Sequence, residues 1–473
     1  MTMQQEPTVT SPATAGFADL DEELALDSVP VRGQLPSWLS GSLVRVTPAK
    51  FGIGGGHDIR HWFDGLAMLH RFAFADGRVS YANRFLRSEA YERAGRGEGI
   101  GQGFATDPCK AIFKRVQTAF SPDYTDNANV NLVQIGERYV AMTETPLPVE
   151  FDAQTLATLG QKPPAPGHVT TAHPHRDPQT GGVLNYAAHI GMRTHYRVFL
   201  TGADGEQQVV AEVPTRAPSY MHSFSVTERY VVLAEYPLLL NPMRLASGAQ
   251  SFIESYNWRP GRGTRFVVID RSSGEVAHTA KADAFFCFHH VNAWEEGDDV
   301  VVDLVAFDDP RVIDELFIDR LRSAAQPTPS QLRRFRIRAG EERVEEEVLL
   351  DRSIELPRVD YGRVNAKPYR VMFSTGVKPD EVDWANELVR FDVSDRALTT
   401  WSEDGCYPGE PVFVGRPERS EEADGAVLSV VFDSRVNRSF LLVLDAKSFE
   451  EMARAEVPHH VPFGFHGQFF RDA

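Results

Sequence analysis

Short apolar runs of strand length recur along the chain, each bounded by turn residues, and no other feature restricts the fold as strongly. ERYVAMTE, HYRVFLTGADG, ERYVVLAEY, TRFVVIDRSSGE, DDVVVDLVAFDD, ELVRFDVSD, AVLSVVFDS and SFLLVLDAKS are rich in Val, Ile, Phe and Tyr and punctuated by Gly, Asp, Asn and Ser. Runs of this kind read as an all-β chain. FVVIDRSSGEVAHTA, LLVLDAKSFEEMARAEV and VRFDVSDRALTTW share one order: strand, acid, turn, second strand. Hairpins of this form build propeller blades, but sandwiches and barrels use them too, and no fixed-period repeat chooses among the three.

A length of 473 residues suggests two or three domains unless the fold is one closed all-β architecture. The formal net charge of -17 leaves no positive surplus for a nucleic-acid backbone, so nucleic acid is not expected as a partner. Cys109, Cys287 and Cys406 are far apart and make no CxxC pair, which fits a reducing compartment rather than a disulfide framework. Residues 1–30 carry acids where an export signal carries basic residues and an apolar run, so a disordered or loosely attached leader is expected there. No window has the ~18 apolar residues of a membrane-crossing helix, and the expectation is a cytoplasmic protein, free or peripheral on a membrane. Helical spacing appears in VIDELFIDRLRSAA, residues 312–325. YPLLLNPMRLASG, residues 236–248, is apolar but interrupted by Pro242, and reads either as a buried loop or as an element that dips into lipid.

With no cysteine cluster, a transition-metal site must be built from imidazole and carboxylate, which suits iron, zinc, copper or nickel. Of 15 histidines, the suggestive ones sit in TAHPHRDP (His173, His175), YMHSFSVTERY (His222), FCFHHVNAWEE (His289, His290) and VPFGFHGQF (His466). In an extended chain neighbouring side chains point to opposite faces, so only one of His289 and His290 can reach a given site. There is no GxSxG and no other evident nucleophile with its base.

These four histidine motifs, in order and widely spaced, together with HWFDGLAMLHRF (61–72), DPCK (107–110), TDNANVN (125–131) and YPGEPVFVGRP (407–417), resemble the carotenoid cleavage oxygenases from about Leu35 to the C-terminal end. The likeness is to the animal-type branch, which includes the β-carotene oxygenases and the retinal pigment epithelium isomerohydrolase. It implies a seven-bladed β-propeller over residues 31–473, a single catalytic domain, with a cap of loops and short helices over the active-site face. It also implies one Fe(2+) on the propeller axis, held by His173, His222, His289 and His466, with His175 and His290 as structural residues. Behind the ligands the matching carboxylates are Glu144 for His222, Glu355 for His289 and Glu410 for His466, and Thr143 matches a position near the dioxygen site. The implied reaction adds dioxygen across a C=C bond of a carotenoid or apocarotenoid to give two carbonyl products, with central cleavage to retinal favoured. Stilbene cleavage and retinyl ester isomerohydrolysis are the alternatives on the same scaffold, and a non-enzymatic binding platform is the alternative of another class. The implied partners are an apolar polyene, dioxygen and a membrane surface met through 236–248.

Overall fold

The computed structural model describes residues 11–106, 123–191, 193–247, 250–323, 328–379, 381 and 383–473. The motif DPCK, with Cys109, lies outside them. The chain winds through seven antiparallel sheets in succession, the blades of a propeller. Blade 1 holds Gly41–Lys50, Leu66–Ala75 and Arg78–Phe85, and blade 2 Asn131–Ile135, Arg138–Met142, Val149–Phe151 and Thr158–Gln161. Blade 3 begins with two short strands, Val169–Thr170 and His175–Arg176, and continues through Val183–His189, His195–Thr201 and Gln207–Pro214. Blade 4 is Ser225–Val226, Tyr230–Glu235, Thr264–Asp270 and Val276–Ala282, and blade 5 is Phe286–Glu296, Asp299–Phe307, Ser330–Ile337 and Glu345–Leu350. Blade 6 is Ile354–Val359, Val371–Gly376, Glu387–Asp392 and Ala397–Trp401. Blade 7 runs through Cys406–Pro408, Val412–Gly415, Gly425–Asp433, Arg438–Asp445 and Glu451–Glu456.

Both chain ends are stitched into this ring. Gly467–Phe470 pairs with Gly41–Lys50 as the innermost strand of blade 1, in the register Ser42 to Phe470 and Arg45 to Gly467. Val31–Gly33 pairs with Glu451–Glu456 on the outer edge of blade 7. These pairings cover the inner edge of Gly41–Lys50 and the outer edge of Glu451–Glu456, which would otherwise be open. The three hairpins recognised in the sequence are present, and their shared acid has a physical role. Asp270 accepts the Ser272 and Ser273 N–H groups, Asp392 the Ser394 N–H, and Asp445 the Lys447 and Ser448 N–H groups. Each aspartate ends one strand by satisfying the backbone donors of the turn that follows.

Two expectations are corrected. The helix read over 312–325 is broken into Arg311–Glu315 and Ile318–Leu321. Its middle is taken by pairing with the segment before blade 1's second strand: the Trp62 N–H donates to the Leu316 carbonyl and the Ile318 N–H to the Arg60 carbonyl. Those long-range bonds override helical propensity. The loosely attached leader expected over 1–30 is, from residue 11 onward, packed on the propeller. Ser11 caps a short 3-10 turn, Pro12–Phe17, whose Phe17 is 2% exposed, and Ala25–Leu26 joins blade 1. Residues 1–10 lie outside the described part. The remaining cap is made of connections within and between blades: Trp62–Asp64 inside blade 1, Glu89–Gly95 between blades 1 and 2, and, inside blade 4, a two-stranded ribbon, Leu238–Leu240 with Tyr256–Trp258, that carries the helix Pro242–Ser247. Among the described residues no helix is long and apolar enough to cross a membrane.

His61 fixes the Trp62–Asp64 turn from a fully buried position: its Nδ1 accepts the Phe63 N–H and its Nε2 donates to the Ile313 carbonyl. Burial, only partly offset by Ile313, lowers its pKa from 6.5 to about 3. The unfolded chain therefore takes up a proton at this position at a pH where the folded chain does not. The stability that neutral His61 contributes is complete above pH 6.5 and is lost as the pH falls toward about 3. Urea midpoints measured above and below pH 6.5 should fall on acidification, with a shallower fall in His61→Asn.

Candidate metal centre

Four of the seven inner strands bring an imidazole to the axis. His173 lies between the two short strands of blade 3, His222 just ahead of Ser225–Val226, His289 within Phe286–Glu296, and His466 just ahead of Gly467–Phe470. One ring nitrogen of each lies within 4.8 Å of the others. His173 Nε2 and His222 Nε2 are 3.0 Å apart, and His289 Nε2 and His466 Nε2 are 3.2 Å apart. The other three blades bring carboxylates behind them. Glu144, just after Arg138–Met142, lies 2.7 Å from His222 Nδ1; Glu355, in Ile354–Val359, lies 2.5 Å from His289 Nδ1; Glu410, between Cys406–Pro408 and Val412–Gly415, lies 2.7 Å from His466 Nδ1.

This arrangement sets the tautomers. A carboxylate only accepts, so each of these Nδ1 atoms carries the proton and each Nε2 turns a lone pair to the centre. His289 and His466 then face each other acceptor to acceptor at 3.2 Å, with no proton to bridge them. A cation resolves that contact: two nitrogens bound at about 2.1 Å and at right angles lie ~3 Å apart. Burial keeps His173, His222 and His466 neutral, which is the form that binds metal. It lowers the His466 pKa to about 3 despite Glu410, and lowers that of His222 despite Glu144. At His173 burial and the three neighbouring imidazoles act together and push the pKa well below 6.5. His173 has no carboxylate partner among the described residues. The cluster thus fits a metal ion by donor type, by spacing and by protonation state.

Glu410 is held by more than its histidine. Its Oε2 accepts the Gly467 N–H, Arg358 lies 2.8 Å from Oε1, and the buried Arg45 lies 3.6 Å from Oε2. Burial pushes this carboxyl up, but Arg358, His466 and Arg45 outweigh it and hold the pKa at about 2. Glu144 also accepts from the buried Tyr220 hydroxyl at 2.9 Å.

Beside the imidazoles opens a cavity of about 200 Å³, lined near them by His222, His289, Phe63, Phe288, Phe307 and Phe465. A smaller one, walled by Thr143, Glu144, Asp64 and Phe104, lies on the other side of Phe63. Asp64 has its pKa raised to about 6 by burial, although both oxygens accept backbone N–H groups, from Phe104 and Ala105.

The four histidines and three glutamates singled out in the sequence come together, and Thr143 is in the wall next to Glu144. His290 points away from the cluster, bonded to Ser225 Oγ and the Tyr236 hydroxyl, and His175 is bonded to the Tyr361 hydroxyl and the Phe224 carbonyl. Tyr220, Arg45 and Arg358 were missed. Tyr220 stands two residues before His222, inside the motif YMHSFSVTERY, and Arg358 three after Glu355. Arg45 has one signal, a lone charge within the apolar strand GSLVRV.

The retinal pigment epithelial membrane protein family model matches residues 17–471. "Carotenoid-cleaving dioxygenase, mitochondrial" of Macaca fascicularis is 34% identical, over 93% of this chain and 91% of that protein. "Beta,beta-carotene 15,15'-dioxygenase" of Homo sapiens is 32% identical, over 95% and 93%. Among solved structures, a Synechocystis apocarotenoid oxygenase variant superposes with a TM-score of 0.87 at 25% identity, covering 97% of this chain and 99% of that one.

Removing the Glu410 charge leaves the buried Arg45 and the half-buried Arg358 beside a neutral group. Breaking a buried ion pair from one side costs about 3–5 kcal/mol. Glu410→Gln should lose stability on that scale in urea unfolding at neutral pH, and an unchanged midpoint would contradict the network described.

Proposed function

The chain belongs to the retinal pigment epithelial membrane protein family, and on that premise we propose that it is a non-haem iron(II) dioxygenase that cleaves a C=C bond of a carotenoid or apocarotenoid to two carbonyl products. The observation that carries this reading is the set of four converging imidazole nitrogens opening directly onto an aromatic-lined cavity. His173, His222, His289 and His466 are the proposed ligands. Imidazole nitrogens suit several divalent metals; the choice of iron rests on the dioxygen chemistry in the names of the relatives. Bound ferrous iron supplies a place for dioxygen and the unpaired electrons that let it react with a closed-shell alkene.

The residues of the chain do the rest. Glu144, Glu355 and Glu410 hold protons on three Nδ1 atoms, keeping the opposite lone pairs aimed at the centre. Four neutral donors leave the metal its full double positive charge. Phe63, Phe288, Phe307 and Phe465 bury the polyene, at about 25 cal/mol per Å² of apolar surface taken from water, and place it beside the imidazoles without a covalent or ionic contact. They also exclude water from the reacting carbons. Both oxygen atoms of dioxygen end in the two carbonyl groups, so the overall reaction needs no acid, base or nucleophile from the protein. Thr143, beside Glu144, walls the smaller cavity and is proposed to border the dioxygen position. Cleavage at the central bond, giving retinal, is supported by the similarity to the 15,15'-dioxygenase. The exposed helix Pro242–Ser247, with Met243 at 80% exposure beside Arg244, is the proposed contact with a membrane that supplies the substrate.

Iron-loaded protein incubated with β-carotene, apocarotenals and retinyl esters should release two carbonyl products per polyene and take up one dioxygen for each. Release of retinol from the ester without oxygen uptake would favour isomerohydrolysis, and the absence of any carbonyl product would sink the dioxygenase reading. His289→Ala should lose both stoichiometric iron and activity, whereas His290→Ala should keep its iron and lose stability. Equal iron content in the two variants would contradict the assignment.

A further inference from the structure

We infer that the N-terminal segment Ser11–Phe17 is a wall of the substrate cavity and that Phe17 sets the length of polyene accepted on that side. The inference rests on the reading of the cavity given above. The same cavity that His222 and His289 line is also lined by Ser11, Ala13 and Phe17, with Trp62, Trp384 and Phe463. The Phe17 ring meets Trp384 at 4.9 Å, Phe463 at 5.0 Å and Trp62 at 5.9 Å. From there a continuous run of rings leads back to the metal cluster: Trp62 to Phe465 at 4.1 Å, Phe465 to Phe63 at 4.9 Å, Phe63 to His222 at 5.6 Å. Phe17 is the end of that run.

No blade strand carries this ring. The segment is held by a few separate contacts: the Phe463 N–H donates to the Gly16 carbonyl at 2.9 Å, Arg322 Nη2 donates to the Phe17 carbonyl at 2.9 Å, and Ser11 Oγ donates to Asp383. The close fit depends on Gly16, where a Cβ would meet the Phe463 ring at 2.2 Å. A polyene is a stiff apolar rod. It gains binding free energy in proportion to the surface it buries, up to the point where a fixed wall stops it. Truncating an aromatic wall leaves apolar space that a longer ligand can fill, as engineered apolar cavities do with small hydrocarbons.

The test is binding, read by quenching of the fluorescence of Trp62 and Trp384, with full-length protein and a ladder of retinal, apocarotenals of increasing length and β-carotene. Wild-type affinity should break off beyond one length. In Phe17→Ala that break should move to longer members, with the first excluded one bound roughly tenfold tighter, a change of about 1.4 kcal/mol. Phe17→Leu should move it less. Gly16→Val, which forces the segment off Phe463, should move it in the same direction as Phe17→Ala. Should Phe17→Ala fail to fold, Phe17→Leu and Gly16→Val decide the matter. Folded variants with the wild-type length profile overturn the inference. Wild-type protein that binds no polyene overturns instead the reading of the cavity, and this inference with it, and the wild-type arm tells the two failures apart.

Discussion

Everything at the hub of this protein follows from lone pairs forced to face one another. His289 and His466 hold acceptor nitrogens 3.2 Å apart, each with its proton committed on the far side of the ring to Glu355 or Glu410. Left alone, such groups would rotate apart or share a proton. They stay because each is attached to a different blade of a closed ring, and the ring does not open to relieve them. The same closure that stabilises the fold thus holds four imidazole nitrogens in a group that could bind a metal ion.

The division of labour around the axis is complete. Four blades supply imidazoles and three supply carboxylates, so every blade contributes at least one polar group to the hub. The carboxylates are not equivalent. Glu410 is held as an anion by two arginines, Glu144 accepts a second hydrogen bond from Tyr220, and Glu355 keeps one buried oxygen, Oε1, without a partner. His173 has no carboxylate behind it among the described residues. His222, His289 and His466 have their ring orientation fixed by these carboxylates.

Much of the fold was legible in the chain itself. Strand-length runs ended by an acid and a turn are real hairpins, because Asp270, Asp392 and Asp445 satisfy turn donors by purely local geometry. The split of 312–325 and the docking of residues 11–30 were not legible. Leu316 and Ile318 bond to a segment some 250 positions away by sequence, and Phe17 finds its partners Trp62, Trp384 and Phe463 in three distant places. No window on the sequence contains both halves of such contacts.

The site divides in the same way. The alternation of side chains along a strand already required His289 and His290 to part company, and the motifs carrying His173, His222, His289, His466 and the three glutamates were present to be matched. Sequence alone determined an all-β chain with turn-punctuated hairpins, an acidic net balance with no positive surplus, and a set of metal-type side chains with no cysteine among them. Only the tertiary structure decided that these groups converge, which carboxylate stands behind which ring, that Arg45 and Arg358 hold Glu410 charged, and that Ser11, Ala13 and Phe17 line a cavity. The physical reason is that local order is set by the torsions and bonds of neighbours, whereas convergence on an axis is set by ring closure, which joins residues 41–50 to 467–470 and has no signature at any shorter range.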